Sequence, residues 1–172
     1  MNFTIYLLIS QSQRKAKLKS IIIIFGPTAS GKSSFAQKMP GIHINADSMQ
    51  IYQDLKILSA RDDILLSGAV NATQHASVAW WYKEACKLVE NAANTPIFVG
   101  GTGLYVQALQ NGLATIPKIP QAIIAEVDKL CQQPNFYNIA LQIDPASKTL
   151  KANDIKRLRR AVEVKLFTNK SI

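Results

Sequence analysis

The stretch from Ile21 to Phe25 is apolar at every position. A strand with one wet face alternates, so an unbroken run of this length predicts a parallel strand covered on both faces. Gly26 to Lys32 turns the chain, and Ser33 to Met39 reads as a short helix ended by Pro40 and Gly41. Ile42 to Asn45 alternates as a second strand. Ser77 is placed to cap a helix whose Val78, Trp81, Ala85, Leu88 and Ala92 share one stripe. Thr95 and Pro96 introduce a third strand, Ile97 to Val99, and glycines then turn the chain into a helix from Leu104 to Gln110, stopped by Asn111 and Gly112. Beyond Pro117 and Pro120 no strand is evident, and Gln121 to Cys131, Asn135 to Gln142 and Asp154 to Phe167 all follow a helical period.

Alternating strands and helices predict an α/β fold with a mostly parallel sheet flanked by helices and a helical C-terminal part. The 172 residues suffice for one domain with a real core, expected over 21–172 with 113–150 as a short helical insert. Residues 1–20 read as an N-terminal extension without fixed structure. Met1 to Ile9 is apolar but too short to span a bilayer, and Arg14, Lys15, Lys17 and Lys19 follow it where a signal peptide would place them first. Twenty Lys and Arg against eleven Asp and Glu leave a net charge of +9, which suits a polyanionic partner and equally suits simple solubility. Cys86 and Cys131 have neither a CxxC pairing nor histidine neighbours, so reduced thiols in a cytoplasmic protein are expected rather than zinc or a disulfide.

The chemistry begins at Gly26. Gly26, Pro27, Thr28, Ala29, Ser30, Gly31, Lys32 and Ser33 fit the phosphate-loop pattern G-x-x-x-x-G-K-[ST], between a strand and a helix where that pattern is meaningful. Main-chain N–H groups and a helix start converge there on an anion, Lys32 adds a point charge, and Ser33 can hold Mg²⁺. The loop predicts a bound di- or triphosphate, ATP among the candidates, without saying whose phosphate it is. Asp47 falls just past the second strand, on the edge where open α/β sheets bind ligands. It can ligate a metal, serve as a general base toward an amine, or simply cap the next turn. Gly100 to Gly103 make a second glycine turn on the same edge, with Thr102 inside it.

Taken together, "GPTASGKS", "INADSMQIYQDLKI", "PIFVGGTGLYVQAL", the later "DP" and "NDIKRLRRAVEV" resemble the tRNA dimethylallyltransferase family in order and spacing, from about Ile21 onward. The resemblance implies a P-loop NTPase-like fold in which the loop grips dimethylallyl diphosphate rather than ATP. It implies transfer of the prenyl group to the exocyclic amine of the adenine 3′ of a tRNA anticodon. Carried onto this sequence, Gly26 to Ser33 hold the diphosphate with Mg²⁺ at Ser33, Thr28 and Lys32 lie near the leaving oxygen, and Asp47 is the general base. Asp47, Ser48, Met49, Gln50 and Thr102 match positions that touch the extruded nucleotide. Lys156, Arg157, Leu158, Arg159 and Arg160 match a segment that contacts the tRNA. A monomer that meets no membrane is the accompanying expectation.

The family pattern continues beyond "FTNKSI", its "GTAKP"-like segment reads "LSARDD" here, and the helical insert after Gly112 is short. The sequence therefore reads as a C-terminally truncated member, with an inactive remnant as one alternative. A nucleotide or small-molecule kinase is the other, and it calls for a lid with arginines, of which none lies between Asn111 and Lys151.

Overall fold

The computed structural model describes residues 3–10, 19–114 and 116–172, so Arg14, Lys15 and Lys17 lie outside the described residues. The chain divides into two compact units, Met1–Leu113 and Ala114–Ile172.

The first unit is built on a four-stranded sheet of order β1-β2-β4-β3, formed by β1 (Thr4–Ser10), β2 (Lys19–Phe25), β3 (Ile42–Asn45) and β4 (Pro96–Gly100). β2, β4 and β3 run parallel, as the unbroken apolar run predicts. Ile21 and Ile23 face a core shared with Ile44, Phe98, Trp81, Ala85 and Tyr105, while Ile24 faces Ile97, Val99 and Ala36 on the other side. The first face is covered by α2 (Val78–Asn91) and α3 (Gly103–Asn111), the second by α1 (Lys32–Ala36). The Ser77 side chain accepts the Trp80 N–H and caps α2 as expected.

Two expectations change in this unit. Thr4–Ser10 are not an unstructured extension but a strand, antiparallel to β2 from Thr4 opposite Phe25 to Ser10 opposite Lys19. Tyr6 turns toward the core while Ile5 and Leu7 remain exposed, so an apolar outer face conceals the alternation. α1 is also shorter than the Ser33 to Met39 reading. After Ala36 the chain tightens into turn hydrogen bonds, Lys38 N–H to Phe35 and Met39 N–H to Ala36, before Pro40 ends it.

The second unit contains α4 (Gln121–Cys131), α5 (Phe136–Ile143) and α6 (Ile155–Thr168) around Val127, Phe136, Ala140, Leu158 and Val162. The single domain expected over 21–172 is thus divided at Leu113, and segment 113–150 shares a core with α6 instead of standing as an insert. On α6, Leu158 and Val162 pack against residues of α4 and α5. At the α5 exit Asp144 is buried, accepting from Ser147 Oγ at 3.1 Å, Ser171 Oγ at 2.6 Å and the Ala146 N–H. It thereby fastens the last residues to this unit.

Candidate active site

Because β2, β3 and β4 are parallel, the three segments that follow them emerge on one edge of the sheet. Main-chain hydrogen bonds continue past the strands: Gly26 N–H to Gly100 O, Ala46 N–H to Val99 O, and Thr102 N–H to Ala46 O at 3.2 Å. The phosphate loop, the Asp47 segment and the glycine turn are therefore held as one framework. Sequence reasoning placed Gly26 to Ser33, Asp47 to Gln50 and Thr102 together, and the fold sets these segments on one edge, with the Gln50 side chain turned behind it.

Within the loop, Ala29 and Gly31 take left-handed backbone, φ 62° and 85°. Alternation between the two hands turns successive N–H groups into one concavity. Lys32 is 8% exposed, and its Nζ donates to the Pro27 carbonyl at 3.0 Å across its own loop. Ser30 Oγ is buried without a hydrogen-bond partner among the described residues, an unsatisfied donor within the loop. An anion would relieve it. Ser33 lies in the first turn of α1. Among the described residues no group of three or more His, Cys, Asp or Glu could hold a metal. Ser33 offers a single hydroxyl at the start of α1, a donor that Mg²⁺ carried mainly by phosphate oxygens could use.

Of the roles the sequence leaves open for Asp47, the structure shows the cap. Its Oδ1 accepts the Met49 N–H at 2.9 Å, the capping role, and Oδ2 lies toward Gly101, where an added Cβ would come within 3.5 Å of it. One oxygen is structural, and the other points at the glycine turn. Gly100 has no alternative, because a Cβ there would collide with the Ala46 carbonyl. Thr102 Oγ1 accepts the Ser48 N–H at 2.9 Å and lies 3.2 Å from Ser48 Oγ, tying the glycine turn to the Asp47 segment. Met49 is exposed, whereas Gln50 sends its amide to the Ser59 and Ala60 carbonyls and so braces the loop behind the site.

Behind this edge is a layer that the sequence pattern did not mark as functional. Trp81 donates from Nε1 to the Asn45 carbonyl at 2.8 Å and stacks on Tyr105 with ring centres 4.0 Å apart. Burial foremost, with Tyr52 and Asp47 nearby, pushes the Tyr105 hydroxyl well above its ordinary pKa, so it stays protonated. Trp81 carried a signal only as one member of an apolar stripe.

The basic helix belongs to the second unit and changes in reading. Leu158, expected among the RNA-contacting positions, is fully buried in that unit's core and packs there instead. Arg159 pairs with Asp128 at 2.9 Å and with Glu163 at 2.9 Å, Arg160 with Glu163 at 3.0 Å, and Arg157 with Asp154 at 3.2 Å. Among the described residues Lys156 alone of these four cations has no ion pair.

A family model described as IPP transferase matches residues 50–172. The chain is 42% identical over 175 residues to the tRNA dimethylallyltransferase of Pelagibacter ubique, a match that covers 91% of this chain and 56% of the relative. It is 40% identical over 170 residues to the tRNA dimethylallyltransferase of Methylocella silvestris, covering 88% and 56%. The solved full-length tRNA isopentenylpyrophosphate transferase of Bacillus halodurans aligns with a TM-score of 0.49 and 28% identity, over 86% of this chain and 55% of that one. The chain thus spans about half the length of the curated relatives it matches. Coverage of 91% leaves too few residues outside the first alignment for the phosphate loop or Asp47 to be excluded from it. With well over half of its residues inside the family model, the chain belongs to the IPP transferase family.

Proposed function

We propose that this chain carries the diphosphate and base-handling half of a tRNA prenyl transfer. In this reading the loop at Gly26 to Ser33 holds dimethylallyl diphosphate, and Asp47 accepts a proton from the exocyclic amine of an adenine 3′ of the anticodon. The observation that carries it is a carboxylate oxygen without a hydrogen-bond partner among the described residues, Asp47 Oδ2, on the same sheet edge as a phosphate-type loop.

The chemistry needs both. The bond from the prenyl carbon to oxygen breaks, and diphosphate leaves with the electron pair. The adenine nitrogen takes the carbon, and its proton passes to Asp47. Loop N–H groups and Lys32 stabilise charge growing on the departing oxygens, with Thr28 beside them. Magnesium, when bound, neutralises further phosphate charge, and Ser33 is the residue that would hold it. The amine is a weak nucleophile because its lone pair is delocalised, and a placed carboxylate is worth roughly 10²–10⁴-fold in rate. Ser48, Met49 and Thr102 line the approach of the base, which must leave its stack to reach the carboxylate. Lys156, Arg157, Arg159 and Arg160 supply positive charge toward tRNA phosphates.

The test uses labelled dimethylallyl diphosphate and an anticodon stem-loop. Label on the adenine in the parent, and its loss in Asp47→Asn with diphosphate binding retained, supports the reading. Thermal stabilisation by ATP but not by the prenyl diphosphate overturns it in favour of a kinase.

A further inference from the structure

The proposed base is only as useful as its aim, and the structure contains a dedicated device for aiming it. Asn45 ends β3 and is completely buried. Its side chain spends both functions on one residue: Oδ1 accepts the Asp47 N–H at 3.0 Å, and Nδ2 donates to the Asp47 carbonyl at 2.9 Å. Its own N–H goes to the Leu65 carbonyl at 2.8 Å, and its carbonyl receives Trp81 Nε1 at 2.8 Å. The Asn45 main chain is thus held on both sides of its Cα, from which the side-chain amide grips Asp47.

A single acceptor at this position would complete an ordinary Asx turn. The second bond, from Nδ2, is the unusual one. It brackets the peptide groups on either side of the Asp47 Cα and so restrains both backbone dihedrals of that residue. With the main chain held, the Met49 N–H fixes Oδ1, and Oδ2 is left directed at the glycine turn. Only a side chain with a donor and an acceptor of this length can do both. An aspartate would keep the acceptor, lose the donor and bury an unpaired charge.

Resting on the reading of Asp47 as the base, we infer that Asn45 is the positioning residue that orients the Asp47 carboxylate toward the substrate amine. Asn45 itself touches neither substrate, so its loss weakens turnover and leaves binding alone.

The full chain is compared with Asn45→Leu, which removes both bonds at similar volume. Asn45→Ser restores an acceptor for the Asp47 N–H, and Asp47→Asn serves as the control. At saturating substrates, single-turnover prenyl transfer is expected to fall about tenfold or more in Asn45→Leu, with both dissociation constants within about twofold, and to recover only part of its rate in Asn45→Ser, which lacks the second bond. Hydrogen exchange, which needs no activity, is expected to run about fivefold faster at the Met49 amide in Asn45→Leu, with the amides of β2 and β4 unchanged. The inference is overturned by a Met49 amide as protected as in the parent, or by undiminished transfer in Asn45→Leu while Asp47→Asn is inactive. Loss of β2 and β4 protection together with Met49, or of substrate binding together with rate, also overturns it by reducing Asn45 to general stability. Transfer that persists in Asp47→Asn removes the base assignment itself and this inference with it, a result distinct from failure of the Asn45 variants alone.

Discussion

Gly100 shows how little freedom the site leaves at single positions. A methyl there would overlap the Ala46 carbonyl, a main-chain atom that cannot step aside. Gly100→Ala is therefore expected to destabilise the first unit by about 2 kcal/mol or more, read from the urea midpoint. At Gly101 the neighbours would be Gly26 O at 3.1 Å and Asp47 Oδ2 at 3.5 Å, so Gly101→Ala should keep most stability while crowding the carboxylate. The two thiols allow a pH test. Burial, the leading cause in each case, pushes Cys86 and Cys131 above the ordinary thiol range, and only the thiolate is alkylated. Labelling near neutral pH should accordingly be severalfold slower than for a free thiol, and it should climb as the pH passes that range, which mass spectrometry can follow. The turn from Gly26 into α1 was legible in the sequence because its spacing is specific. Asn45 was not, since a polar residue closing a strand looks the same whether it faces water or clamps a carboxylate's backbone.

At the scale of elements, helix starts and stops were readable because capping residues and prolines act locally. Ser77, Gly112 and Pro120 each mark an observed end. Partners were not readable: an apolar stripe states that a helix is covered, not by what. α6 is the clearest instance, because its basic residues are largely engaged by acids of its own unit. Glu163 is 6% exposed and holds both Arg159 and Arg160. Glu163→Gln is expected to release Arg160 and to leave Arg159 on Asp128 alone, raising affinity for an anticodon stem-loop and steepening its dependence on salt by about one phosphate contact. The same change should lower stability, since it takes the shared partner from two ion-paired arginines. A series of titrations at increasing salt, with a parallel thermal melt, decides between these effects and a silent substitution.

For the whole molecule, the division at Leu113 means that each unit has a core of its own, on both faces of the sheet in the first and around Val127 and Leu158 in the second. Both tryptophans, Trp80 and Trp81, belong to α2, so their fluorescence reports the first unit, whereas helical circular dichroism reports both. Leu158→Ala is expected to cost the second unit about 2–5 kcal/mol, as for other large-to-small core changes. The dichroism transition should move to lower denaturant while the fluorescence midpoint stays in place. Coincident shifts would show one cooperative molecule instead. The sequence marks the place, since Gly112 stops a helix and no strand follows Pro117 and Pro120, but it does not show that the helices beyond close a core of their own. The β1 pairing was hidden for a related reason: a strand's neighbour is chosen across the fold, not along the chain.

The lysine bridging its own loop has a consequence for ligand choice. Its ammonium already rests on the Pro27 carbonyl, so any incoming anion competes with a bond the protein makes for itself. If the loop takes a pyrophosphate as proposed, several anionic oxygens met also by the turned amides are what would draw the ammonium off Pro27, and a weaker anion such as chloride is expected to leave it in place.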